Sequence, residues 1–161
     1  MRRFLILAVL ALPLPLAAPR AHAASTGGDA GLALGARVGA HSPTLSAQQK
    51  AILQRMLNGN LDFHYPANRK IVVKAAAVTC RASNVDISSH SCAFTFGAHK
   101  PSISGDAGAA LYATMVWAGV PSDGAAGTIY EAVKNLVCTI DPNAVKQRDG
   151  SGADCTFDPG R

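Results

Sequence analysis

The chain has 161 residues, 48% of them hydrophobic, and carries 15 Lys and Arg against 10 Asp and Glu. Three of the cations, Arg2, Arg3 and Arg20, lie in the first 23 residues, so the remainder has 12 cations and a net charge of +2. Because those cations are scattered among acids, composition argues against a nucleic-acid groove and a polybasic membrane patch.

The first 23 residues have the pattern of a signal peptide. Arg2 and Arg3 precede an apolar run, Phe4 to Leu16, and Ala21-His22-Ala23 places small residues where signal peptidase cuts. The apolar run is shorter than a membrane-spanning helix. We therefore predict cleavage after Ala23, no membrane anchor after processing, and a periplasmic or secreted location.

The segment 24–43 is rich in Gly and Ala and follows neither a helical nor a strand period. Such composition is typical of a flexible leader, and we predict one here. Residues 44–161 are then expected to form a single α+β domain, since this length is sufficient for one hydrophobic core.

The first half of that domain predicts one helix and two strands. Ser46 and Gln49 suit a capping box, and Asn58-Gly59 suits a helix end, with an apolar stripe between them at Ile52, Leu53, Met56 and Leu57. The β-branched residues between Lys70 and Arg81 predict a strand. A second strand follows where apolar and polar side chains alternate, at Cys92, Phe94 and Phe96.

The second half predicts the same order. Helical spacing joins Ala107, Leu111, Met115 and Ala118, and Gly119 with Pro121 ends the helix. The segment 128–140 fits both a helix and a strand, and we favour a strand because Leu136, Cys138 and Ile140 alternate. A short last strand is predicted around Cys155.

A short motif is shared by the two halves. Cys-x-Phe-x-x-Gly occurs at 92–97 and again at 155–160, each time after a helix and an upstream cysteine. We therefore predict an α+β fold of two tandem α-β-β units, which form a four-stranded antiparallel sheet with both helices on one face.

The four cysteines are expected to be oxidised in an exported chain, and three pairings are possible. We favour Cys80 with Cys92 and Cys138 with Cys155, because each pair brackets one predicted hairpin. The chain has no Cys-x-x-Cys and no close Cys/His spacing, which argues against zinc and against a redox-active pair.

Catalytic signatures are not found. The chain has no Gly-x-Ser-x-Gly, no His-Glu-x-x-His, no phosphate-binding loop and no dinucleotide fingerprint. Asp149 and Asp154 lack the spacing of a calcium loop, and His41, His64, His90 and His99 are scattered. We therefore predict no catalytic residue, no metal, no cofactor and no enzymatic activity.

Two aromatic features are candidates for contact with a partner. Phe63, His64 and Tyr65 lie between the first helix and the first strand, where exposed aromatic side chains are typical of an interface. The other interpretation, which we favour, is that Phe63 and Tyr65 pack under the sheet edge. Trp117 lies at the flank of the second helix's apolar stripe, where it either seals the core edge or projects as a contact, and of these we favour the core edge.

The order of helix, strand and strand, repeated once, resembles in outline the β-lactamase inhibitor proteins and the PepSY-type domains. That resemblance implies a non-catalytic binding or inhibitor module. The sequence does not identify its partner, which the predicted location leads us to expect among periplasmic or extracellular proteins. The alternatives are a structural or stress-related envelope protein and a small hydrolase-like enzyme.

Overall fold

A computed structural model describes residues 23–83, 90–125, 128–148 and 152–160. The predicted signal peptide, apart from its last residue, lies outside these ranges. In the described residues there are four helices: α1 (Gly28–Gly39), α2 (Ala47–Leu57), α3 (Asp106–Trp117) and α4 (Pro142–Gln147). The strands are β1 (Ala24–Gly27), β2 (Ile71–Ser83), β3 (Ser91–Thr95), β4 (Ser102–Ser104), β5 (Ser122–Ala125), β6 (Thr128–Ile140) and β7 (Ala153–Pro159).

All strand pairs are antiparallel and belong to one sheet. Six strands follow the order β1-β7-β6-β2-β3-β4, and β5 pairs with β6 beside that path. The long central strands β2 and β6 pair along almost their whole length, from Ile71 opposite Ile140 to Ser83 opposite Thr128. The predicted four-stranded sheet is therefore too small, because β1 and β4 are short edge strands with no clear alternation.

One face of the sheet is covered by helices, and the other, the open face, carries no helix among the described residues. Side chains of β2 alternate accordingly, with Ile71 and Val73 buried and Val72 and Lys74 exposed. Helix α1 contacts β7, β6 and β2, while α3 contacts β2, β3 and β4, and α2 packs against α1. The prediction that α2 and α3 both lie on one face of the sheet is therefore correct for α3 alone, because α1 occupies the place expected for α2, and α2 packs on α1.

The prediction of a flexible leader at 24–43 is wrong. Residues 24–27 form an edge strand that pairs with β7, with Ala24 opposite Phe157, and Gly28–Gly39 form α1. Leu34 and Val38 of this helix are fully buried in the core. Its glycines lower the intrinsic helix propensity, so burial of the apolar side stabilises the helix instead.

The remaining predicted elements are confirmed. Helix α2 begins with the capping box of Ser46 and Gln49, and 128–140 is a strand. Both disulfides have the favoured pairing, and each joins residues directly opposite on neighbouring strands, with Cα atoms 4.0 Å apart. All four cysteines are buried on the helix-covered face.

The two helices on the sheet share features that the Cys-x-Phe-x-x-Gly motif does not reveal. The sequence Gly-Asp-Ala-Gly-x-Ala-Leu occurs at 28–34 and at 105–111. Its first glycine has a positive φ in both copies, 59° at Gly28 and 63° at Gly105. Its second glycine contacts a disulfide, since the Gly31 carbonyl oxygen lies 3.3 Å from Cys155 Sγ and the Gly108 oxygen 3.5 Å from Cys92 Sγ.

Candidate binding surface

Helix α3 is held to the sheet by one side only. Leu111 and Met115 point inward and are fully buried, and Met115 Sδ lies 3.3 Å from Cys80 Sγ. The hydroxyl of Thr114 donates a 2.7 Å hydrogen bond to the Ala110 carbonyl, so this buried polar group is satisfied within the helix. After Trp117 the chain turns at Gly119, where φ is 78° and a side chain would be strained.

The opposite side of α3 is apolar and exposed. Ala113 is exposed, Val116 is 51% exposed and Trp117 is 60% exposed. We call these three residues the α3 face. The helix has a single charged residue, Asp106 at its start. A helix that is apolar on all sides is normally buried on all sides, so the α3 face is a candidate contact surface.

The predicted contact loop around Phe63, His64 and Tyr65 is not such a surface. Phe63 and Tyr65 are only 8% and 7% exposed and belong to the hydrophobic core, and only His64 of the three is exposed. Lys146 of α4 holds the loop in place, because its Nζ donates to the Phe63 carbonyl and lies 4.4 Å from the centre of the Phe63 ring. The burial of Phe63 and Tyr65 agrees with the packing interpretation favoured from the sequence, and the candidate partner contact at these two residues is corrected to core packing.

Trp117 is the candidate contact residue that the structure exposes. The interpretation favoured from the sequence, in which Trp117 seals the core edge, is wrong, because its side chain is 60% exposed. Ala113 and Val116 were missed by sequence reasoning, although a signal for them exists. Both lie on the side of the helix opposite Leu111, and α3 has no charged residue after Asp106 to mark that side as solvated.

The histidines pack against aromatic rings or stand in solvent. His41 stacks on Phe94 with ring centres 4.8 Å apart, and burial, followed by the nearby charge of Lys50, lowers the pKa of His41 from its ordinary 6.5. His90 meets Tyr112 edge to face at 5.2 Å. His64 and His99 are exposed. Among the described residues, no three His, Cys, Asp or Glu side chains come together as a metal site.

Two cavities lie away from the α3 face. The larger, of about 410 Å³, lies between the start of α1, the end of α2 and α4, and it is lined mainly by apolar groups such as Leu32, Met56 and Val145. The smaller, of about 230 Å³, is lined by Arg37, His41 and Gln54 among others. The Nε of Arg37 is buried without a hydrogen-bond partner among the described atoms, but the lining includes no acidic side chain that could form an acid–base pair with His41.

No family model, curated protein or solved structure matches this chain. In the described part of the chain, no helix is both long and apolar enough to cross a bilayer.

Proposed function

We propose that this protein is an exported, non-catalytic binding module whose contact surface is the α3 face. The observation that carries the proposal is the exposure of Val116 and Trp117, by 51% and 60%, on a helix without a charged residue after Asp106. Large rigid aromatic side chains concentrate binding energy at interfaces, and they gain it by leaving water.

The scaffold around this surface supports the proposal. A disulfide lies beneath α3 between Cys80 and Cys92, and Met115 packs on it, so the helix stands on a covalently joined pair of strands. Because such a scaffold is already ordered, less conformational entropy is lost when a partner binds. The same stapling supports a periplasmic or secreted location, because buried disulfides form in oxidising compartments.

We further propose that the fold consists of two related halves, β1-α1-β2-β3 and β4-α3-β6-β7, with α2 and α4 as additions. The repeated Gly-Asp-Ala-Gly motif, the positive φ of Gly28 and Gly105, and the glycine contacts with both disulfides support this relation. The strand order supports it as well. If β1 is exchanged with β4, β2 with β6 and β3 with β7, the order read from one edge of the sheet becomes the order read from the other edge. In this arrangement α1, rather than α2, is the counterpart of α3.

The proposed function is tested by affinity capture of periplasmic or secreted proteins on the purified, oxidised protein. We expect wild type to retain a partner that the Trp117→Ala and Val116→Asp variants lose, while their melting temperatures stay near that of wild type. Val72→Ala is the matched control, because Val72 is 40% exposed but lies on the open face of the sheet. A partner lost by Val72→Ala and kept by Trp117→Ala would contradict the proposal.

A further inference from the structure

The molecule itself shows what covers a helix at this position of the sheet. On α1 the residues Ala36 and Gly39 are buried, Ala36 being 1% exposed. A Cβ placed on Gly39 would lie 2.7 Å from Leu53 Cδ1 of α2, 2.9 Å from Val73 Cγ2 of β2 and 3.3 Å from Leu45 Cδ1. Gly39 therefore lies where α1, α2 and the sheet meet, and α2, which packs against α1, covers this side of α1 together with the turn before it.

The corresponding side of α3 has no such cover in the described structure. The repeated motif aligns Leu34 with Leu111, so Ala36 corresponds to Ala113 and Gly39 corresponds to Val116. Leu34 and Leu111 are both fully buried. Ala113 and Val116, however, are exposed where their counterparts on α1 are buried.

We infer that the α3 face receives an amphipathic helix from a partner protein, seated on α3 as α2 is seated on α1. This inference rests on the proposed binding function and names the kind of partner. The model for the incoming helix is α2, which buries Ile52, Leu53 and Met56 along one stripe and exposes Gln48, Gln54 and Arg55. Such a stripe at i, i+1 and i+4 is the usual means by which a helix binds an apolar surface.

The size of the surface favours a helix over a second copy of the chain. At 60% exposure Trp117 presents on the order of 150 Å², and Val116 and Ala113 present less because they are smaller. A stable dimer buries about 800 Å² on each partner, which is several times the area of the α3 face. One short helix, anchored by a few apolar side chains, matches the available area.

A photo-crosslinking experiment in the exporting cells tests the inference. Ala113→p-benzoylphenylalanine places a photoreactive group within the α3 face and leaves Trp117 unchanged. Val72→p-benzoylphenylalanine on the open sheet face is the control. We expect an adduct at position 113, absent at position 72, that maps to an amphipathic helical segment of another protein. Adding Val116→Asp should reduce its yield at least tenfold.

The outcomes separate the inference from the proposed function. An adduct with a second copy of this chain, with an extended segment or with lipid would overturn the helix inference and leave a binding role for the α3 face. Labelling at position 113 no greater than at position 72, with no macromolecular adduct, would overturn both. A synthetic peptide of the crosslinked segment gives a second readout, because Trp117 is the only tryptophan. Its emission should shift to the blue on binding, and an unshifted spectrum at saturating peptide would contradict the inference.

Discussion

Gly35 of α1 lies directly against Cys138 of β6, so closely that a Cβ on Gly35 would stand 2.9 Å from Cys138 Cβ and 3.3 Å from its Sγ. The same added atom would stand 2.9 Å from Ile140 Cδ1. The glycine therefore allows the helix backbone to rest on the Cys138–Cys155 disulfide without an intervening side chain.

Gly35→Ala should lower the free energy of unfolding by about 1–3 kcal/mol, because a methyl group added here overpacks the contact with Cys138. Urea denaturation measures the change. Ala113→Gly, on the exposed side of α3, reports the intrinsic helix preference for Ala alone, about 0.5–1 kcal/mol. Gly35→Ala protein that gained stability by that amount would show that α1 does not approach the disulfide so closely.

Each disulfide should contribute separately to stability. Replacing Cys80 and Cys92, or Cys138 and Cys155, with Ser should cost about 2–5 kcal/mol in either case. The sequence separations are 12 and 17 residues, and the chain-entropy model gives a difference of only about 0.3 kcal/mol between them. A larger difference between the two double variants would measure packing around the sulfurs. Peptide mapping without reduction checks the pairing, and recovery of free thiols from oxidised, folded protein would contradict it.

Titration of His41 should make the protein less stable as the pH falls. Because burial, and then Lys50, lowers the pKa of His41 below 6.5, the unfolded chain takes up the proton first as the pH falls. The contribution is therefore complete above 6.5 and is lost as the pH drops through the folded pKa. The loss of melting temperature between about pH 7.5 and about pH 5 should be smaller in His41→Gln than in wild type.

The control for this titration is Gln48→Ala, because Gln48 is exposed and has no titratable group. This variant should retain the pH dependence of wild type. An equal pH dependence in wild type and His41→Gln would show that the His41 imidazole is not sheltered by its stacking on Phe94.

Phe63 should behave as a core residue. Phe63→Ala removes a ring that is 8% exposed and lies beneath Lys146 Nζ, so we expect a loss of about 3–5 kcal/mol and a melting temperature lower by many degrees. His64→Ala, at the exposed neighbouring position, is the matched control and should remain near wild type. Equal melting temperatures for the two variants would show that Phe63 does not pack in the core, and the loop would again be a candidate contact surface.

The mature protein should begin at Ala24, since Ala21 and Ala23 suit signal peptidase. N-terminal sequencing of exported protein measures this directly. Cleavage there would leave Ala24 as the first residue of β1, opposite Phe157. Protein that retains Met1 and sediments with membranes would contradict both processing and secretion.

The elements with strong local signals were predictable from sequence, and those stabilised by distant contacts were not. Helix α2 has a capping box and an apolar stripe, and β3 alternates cleanly around Cys92. Helix α1 has neither a capping side chain nor good helix propensity, because its glycines allow close packing against the sheet and α2. Its available signal was the Gly-Asp-Ala-Gly sequence at 28–31, repeated at 105–108.

The candidate surface was predictable only in part, for a related reason. An aromatic residue in a polar loop and one at the flank of a helix both look like contacts, and burial alone separates them. Phe63 belongs to the hydrophobic core, and Lys146 of α4, 83 residues further along the chain, lies over its ring. Trp117 is exposed because no described element covers the outer side of α3, a fact that local sequence does not encode.

The pairing of β1 with β7 has a consequence for the order in which the chain acquires its fold. Synthesis delivers β1 and α1 first, yet the strand against which both pack, β7, is the last element that the structure describes. Residues 24–39 therefore cannot pair with β7 until nearly all of the polypeptide has been synthesised. A contact of such high sequence separation forms late and slowly, so the newly delivered N-terminal segment is the part most in need of protection from proteases and aggregation until β7 arrives.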